Sequence, residues 1–484
     1  MVKINYFLTK NKEGKHIFGN PFARLTGDAT VTDALGSILV NILTETPLIF
    51  DPDAKSSEII QQVIEERIFP ASERCQSFLW SKGGSVYVFL GTHWMEISDD
   101  ALTEFVREAF DAAGVDRVRV SSARFIEEAK KSLIMLTTQP IEEKKDVLIN
   151  LKGETLRITP KGEVTSYIHR AGDYFTYRLP YRYDPKATCP TFMKFLDEVL
   201  PDKKLQDILA EFIAYCFIPS NILKLEKVLV LYGTGSNGKS VFTSIMTALL
   251  GRENVSSYNL SLLTDPVKGG NYRAGLENKL INFSYESGKI VENDLFKQLV
   301  SGEPVDAKKL YQDVYTIENY AKLSFSTNNL PNSGDYSNGF FRRFLIIPFL
   351  VTIPEDKQDR TLHKKIIDTE LPGVLNWVLE GLKRLLKNKG FSESEAARAS
   401  LEDFKLSSDP VRLWLDENDI EPGNEKVYTT TLYNSFKAFI TEGGFQLPSI
   451  RNFSQRLISL GFEKFKDREG RGFLLNENFN RWGE

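Results

Sequence analysis

The run Lys227-Val228-Leu229-Val230-Leu231-Tyr232, followed at once by Gly233-Thr234-Gly235-Ser236-Asn237-Gly238-Lys239-Ser240, constrains this chain more than any other feature. The apolar run is β-prone. Val241 to Leu250 has helical character and ends at Gly251. Strand, glycine loop and helix together turn the spacing of Gly233, Gly238, Lys239 and Ser240 into a phosphate-binding loop rather than a tight turn. Glycines let backbone N–H groups face phosphate oxygens, and the helix N-terminus adds partial positive charge. Gly233, Gly235, Ser236, Asn237, Gly238 and Val241 are the expected cradle. Lys239 is expected to reach the β- and γ-phosphates of ATP, and Ser240 to ligate Mg²⁺. Strand and helix alternate from Lys227 to about Pro348, which predicts an α/β core with a mainly parallel sheet.

Such a loop needs a carboxylate on a neighbouring strand to hold the metal shell and polarise water. Lys279 to Glu286 reads as that strand, with Glu286 as catalytic and metal-binding residue. A second polar-ended strand, Lys322 to Pro331, offers Asn328 to orient water. Arg342 and Arg343 precede the apolar run Leu345 to Phe349. Adjacent arginines there suit an arginine finger for a neighbouring subunit's nucleotide, although surface arginines at a strand start read equally well from the residues alone.

The length of 484 residues predicts about three domains. A net charge of −4 excludes a general polycation that coats nucleic acid, but not a local basic surface such as the inner wall of a ring. Cys75, Cys189 and Cys216 show no Cys-x-x-Cys spacing and read as ordinary thiols in a reducing compartment. The four histidines are scattered. No signal-peptide core or apolar run of membrane-spanning length occurs, so a cytoplasmic protein without membrane contact is expected. Asp51-Pro52-Asp53 after Leu48-Ile49-Phe50 reads as an acidic turn rather than a polymerase metal pair, because Pro52 disfavours a continued strand.

The expected organisation is a region of unassigned role at 1–75, an accessory α+β region at 76–200, the α/β core at 201–390, a polar linker or exposed helix at 391–410 and a compact unit at 411–484. In that last unit, Leu432 to Thr441 and Ser449 to Leu460 read as helices. Phe462 to Phe465 and Gly472 to Leu475 read as a hairpin, giving a winged helix-turn-helix. Arg451 and Arg456 on the second helix, with Lys464 and Lys466 on the hairpin, are candidate DNA contacts. Glu463, Asp467 and Glu469 oppose that assignment and leave a protein-docking role open.

Gly235 to Ser240, Glu286, Thr327-Asn328-Asn329-Leu330-Pro331 and Phe341-Arg342-Arg343-Phe344 with Pro348-Phe349 together resemble the superfamily 3 helicases, an AAA+ group of viruses, phages and plasmids. The pattern is most similar to the phage and plasmid primase-helicase family related to the poxvirus helicase-primase ATPase. Two further segments carry the resemblance, Leu295 to Tyr311 and the Tyr/Pro-rich stretch Ala171 to Pro190. It implies an AAA+ P-loop ATPase core with an accessory domain before it and a winged helix after it. It also implies a channel hairpin whose Lys308, Lys309 and Tyr311 touch single-stranded DNA; lysines hold phosphates and aromatics stack on bases. One departure is Tyr285 before Glu286, where the family often has two adjacent carboxylates. The polymerising primase domain often found upstream has no counterpart, so priming is not implied.

The expected function is therefore an ATP-dependent DNA helicase acting as a ring, a homohexamer, in replication of a phage, plasmid or other mobile element. Its expected partners are single-stranded and forked DNA, further copies of itself and a separate primase or polymerase. The alternative is an origin-binding initiator or loader with little unwinding of its own. A small-molecule kinase would use the loop but leave the other motifs idle.

Overall fold

The computed structural model describes residues 8–10, 16–18, 29–51, 53–285, 290, 293–309, 313–330, 337–443 and 447–482. Helices α1 (Ala29–Leu43), α2 (Asp99–Ala112) and α3 (Ala123–Thr137) bury their apolar stripes against an antiparallel sheet. Its strands are β1 (Leu79–Lys82), β2 (Ser85–Phe89) and β3 (Trp94–Glu96). In α2, Leu102, Phe105, Val106, Ala109 and Phe110 recur at helical spacing and are all buried. The Ser98 side chain accepts from Ala101 N and caps the helix start. Leu35, Ile38 and Ile42 of α1 share this core with Phe105, Phe110 and Leu133. Packing therefore does not break at residue 75 as expected, because the α1 stripe buries against the elements that follow.

Glu108 on α2 sits half-buried beside Glu104 and Asp111. Burial first, then those two carboxylates, push its pKa up to about 7, against the lowering pull of Arg107. A raised acid pKa means that the fold disfavours the charged form. The cost is absent below the ordinary carboxylate range, grows as pH rises towards 7, and is complete above it. Glu108→Gln is expected to raise the melting temperature at pH 8 and to change it far less at pH 5, as thermal melts at the two pH values would show.

Strands β4 (Val147–Asn150), β5 (Thr155–Ile158) and β6 (Val164–Tyr167) form a meander. Its Ile149, Leu156 and Ile158 share a core with α4 (Pro190–Val199) and α5 (Lys203–Tyr215). That core continues into the central sheet. The stretch expected as one accessory region at 76–200 thus divides between two cores.

The central sheet is built from β7 (Val228–Tyr232), followed by helix α6 (Lys239–Leu250), β8 (Val255–Ser256) and β9 (Ile281–Ser284). A hairpin of β10 (Val305–Lys308) and β11 (Val314–Ile317) stands apart from it. Strands β12 (Lys322–Thr327) and β13 (Phe344–Pro348) complete the sheet. Its order is β8-β9-β12-β7-β13, and every pairing is parallel. The apolar runs arise because both faces are covered. Leu229, Leu231, Leu345 and Ile347 face the core of α4, α5 and α6, whereas Val228, Val230, Phe344 and Ile346 face a second core with Phe296 and Phe340.

Helix α7 (Leu362–Asn388) lies against α5, and Gly381 is needed there: a Cβ would stand 2.6 Å from the Ala210 carbonyl carbon. The stretch expected as a polar linker or exposed helix holds α8 (Glu395–Ser408). Its Phe404 is 1% exposed and seated edge-on against Phe341 and Phe344, with ring centroids 5.3 and 5.1 Å apart. This buried anchor fixes the helix on the sheet layer. The carboxy-terminal unit has α9 (Pro410–Glu417), β14 (Pro422–Tyr428), α10 (Thr429–Gly443), α11 (Ile450–Ser459), β15 (Lys464–Lys466) and β16 (Arg471–Leu475). Its sheet order is β14-β16-β15, over a core of Trp414, Phe436, Phe453 and Phe473.

Candidate functional site

The loop after β7 turns through left-handed backbone at Gly235 (φ 115°), Ser236 (φ 49°) and Gly238 (φ 84°), the last opening α6. Gly238 has a second constraint: a Cβ would lie 2.8 Å from Val199 Cγ1 of α4. Asn237 Nδ2 donates to Phe349 O at 2.9 Å, and Ile353 N donates to Ser236 O at 2.8 Å. The segment after β13 therefore fastens the loop. Lys239 is 6% exposed and donates to Gly233 O at 2.7 Å and Asn237 Oδ1 at 2.8 Å. Burial pushes its ammonium pKa down. A desolvated cation held by neutral acceptors is a strong seat for an anion.

A cavity of about 1110 Å³ opens over this loop. Parallel strands carry ligand sites at their carboxyl ends, and the loop, Tyr285 after β9 and Asn328 after β12 all line this cavity. Gly233 N donates to Thr327 O at 3.2 Å and ties the end of β12 to the start of the loop. Asn328 is exposed, as are Ser240 and Tyr285. Val241 lines the cavity too. Glu286 lies outside the described residues. Sequence reasoning missed the opposite wall: Lys194 and Glu198 of α4, with Lys357 and Arg360 before α7. No motif marks these residues. The donor set of a buried ammonium, a left-handed glycine loop and a helix N-terminus fits a polyphosphate.

Arg342 and Arg343 stand at the other edge of the sheet, where β13 begins. Five residues of strand, about 16 Å, separate them from the loop edge. Arg343 is 9% exposed and donates to Gly339 O and, at 3.0 Å, to Ser301 Oγ. Arg342 has a side chain 63% exposed, and its Nη2 donates to Glu226 Oε2 at 2.7 Å. The two adjacent arginines are thus unlike in burial and in partners.

The β10–β11 hairpin exposes Lys308 at its upper end. Lys309 is held instead by Glu96 of β3 and by Ser85 Oγ at 3.3 Å, with its ammonium 5.8 Å from the Tyr315 ring centre. Tyr311 lies outside the described residues. In the carboxy-terminal unit Arg451 and Lys466 are exposed, and Lys464 lies over the Phe473 ring at 5.8 Å. Arg456 is otherwise engaged: its Nε donates to Asp409 Oδ2 at 2.7 Å, and Asp409 is 1% exposed. That carboxylate also caps α9 by accepting from Arg412 N. Arg456→Ala would leave a buried carboxylate without its cation, so a loss of about 3 kcal/mol is expected. Chemical denaturation of the full chain measures it.

Among the described residues, no helix is long and apolar enough to cross a membrane. Residues 74–201 match the D5 N-terminal-like family, and residues 231–343 match a family of unknown function, DUF5906. The chain is 23% identical over 362 residues to "Putative helicase 121R" of Invertebrate iridescent virus 3, covering 64% of this chain and 37% of that protein. It is 25% identical over 249 residues to "Putative helicase 184R" of Invertebrate iridescent virus 6, covering 48% and 24%. Through these matches the chain is similar to phage and viral primase-helicase proteins. It spans well under half the length of these two curated relatives. The apo C-terminal region of NrS-1 aligns with 84% of this chain and 98% of its own at a TM-score of 0.45 and 12% identity.

Proposed function

We propose that this chain is an ATP-dependent DNA helicase of superfamily 3, acting as a ring, a homohexamer, in replication of a virus, phage or other mobile element. The observation that carries the reading is the strand order. With β12 between β7 and β9, the loop, Asn328 and the end of the acidic strand share one cavity. The arginine pair is left at the opposite edge, suited to a neighbour's nucleotide. This is the logic of an AAA+ core with composite sites between subunits.

In this reading the loop amides and Lys239 hold the ATP phosphates, and Ser240 with Glu286 holds Mg²⁺. The metal, when bound, neutralises charge on the phosphates. Glu286, two residues beyond β9, polarises the attacking water, and Asn328 orients it. Lys308 and the hairpin track one DNA strand. The carboxy-terminal unit acts as a winged helix through Arg451, Lys464 and Lys466, with Arg456 kept for its own packing. The polar walls of the cavity at Lys194, Lys357 and Arg360 complete the nucleotide's surroundings.

The test is strand separation of a forked duplex by the full chain, with ATP turnover and particle size recorded on the same samples. Unwinding that needs hydrolysable ATP is the expected result. Turnover stimulated by DNA without strand separation would overturn the motor and favour an initiator or loader. No turnover in any assembly state would overturn the ATPase itself.

A further inference from the structure

The residues that lead into β7 are fastened on two sides, Leu225 to α5 and Lys227 and Val228 to the residues just before β13. Leu225 N donates to Tyr215 Oη at 3.0 Å. Lys227 Nζ donates to Arg342 O, and Val228 N to Arg343 O at 2.8 Å. Between these ties Glu226 holds a left-handed backbone at φ 52°. A non-glycine residue keeps that conformation only where its surroundings over-determine it, and such residues cluster at functional sites. Its Oε2 accepts from Arg342 Nη2 at 2.7 Å and lies 3.6 Å from Arg343 Nη2. A guanidinium has five N–H donors, so this bond uses one nitrogen and leaves Nε and Nη1 to meet an incoming oxyanion.

We infer that Glu226 is a positioning residue: it orients Arg342, and not Arg343, as the arginine that reaches a nucleotide held by the adjacent copy of this chain. This rests on the proposed ring ATPase and deepens it. Arg343 is a packing residue, tied down by Ser301 and Gly339. Arg342 is exposed and has its rotamer selected by one carboxylate. A preoriented guanidinium loses less freedom on meeting the transition-state charge, so Glu226 acts on turnover rather than on ground-state binding.

The experiment is steady-state ATP turnover by the full chain carrying Glu226→Gln, Arg342→Ala or both, with melting temperatures recorded alongside. Glu226→Gln is expected to lower kcat about tenfold with KM nearly unchanged. Glu226→Asp is expected to restore part of the loss. In the Arg342→Ala background Glu226→Gln is expected to cost nothing more, because its target is gone. The inference is overturned if Arg342→Ala is defective but Glu226→Gln turns over like the parent, or if the two losses multiply. The second outcome would mark Glu226 as a structural support of Arg343. Parental turnover in Arg342→Ala would overturn both the inference and the trans-acting arginine beneath it. A drop in melting temperature that scales with lost kcat across all the variants would also overturn it.

Discussion

Replacing Lys239 by alanine is expected to abolish ATP turnover, by a factor on the order of 10³, and to end strand separation with it. The ammonium is desolvated, so each of its contacts to phosphate would be made at low local dielectric, where charge counts most. The same burial keeps the variant folded. Lys239 gives up bonds to Gly233 O and Asn237 Oδ1, while the cost of burying its charge disappears. The net change in stability is expected to stay within about 2 kcal/mol. Turnover and thermal unfolding measured on one preparation separate the two effects. A variant that melts like the parent and still hydrolyses ATP would sink the assignment of the loop.

Mixing inactive variants gives the second large effect. Arg342→Ala alone is expected to lose turnover by about 10³-fold, as does Lys239→Ala. In a head-to-tail ring every interface joins the loop of one subunit to the arginine edge of the next. Random co-assembly of the two variants therefore makes about a quarter of the interfaces intact, and turnover should recover to about that fraction. Recovery would require the arginine to act across the interface. A mixture as dead as its components, though shown to co-assemble, would mean that Arg342 serves its own subunit, against the strand length that separates it from the loop.

The loop and the central strands were legible because buried parallel strands are continuous apolar runs, and the run before Gly233 has no other reading. The helical period of α2 stands in the sequence itself, at Leu102, Phe105, Val106 and Phe110. What stayed hidden depends on partners far along the chain. Leu35 to Leu43 is an apolar stretch of the sequence, but nothing local says that it packs on Phe105. The polar run of 391–410 holds one decisive residue, Phe404, whose seat between Phe341 and Phe344 is fixed only by the fold. Strand β14 comes from Pro422 to Tyr428, a polar segment with an edge strand's composition, so the hairpin was read without its third strand. Arg456 read as a nucleic-acid contact because Asp409, its partner, lies 47 residues away. The difference between Arg342 and Arg343 was beyond any sequence reading, since adjacent residues of one type diverge only in what surrounds them.

The seat of Phe404 has a mechanical consequence. Its ring is wedged against Phe341 and Phe344, the two residues that bracket the arginine pair. Close-packed rings have no slack to slide, so a swing of the Arg342 segment must drag α8 with it. The next residues on that lever are Asp409 and α9, and Asp409 grips Arg456 of α11. In the proposed ring, a subunit that bent towards its neighbour's nucleotide would tilt its own carboxy-terminal unit, through one aromatic wedge and one buried ion pair.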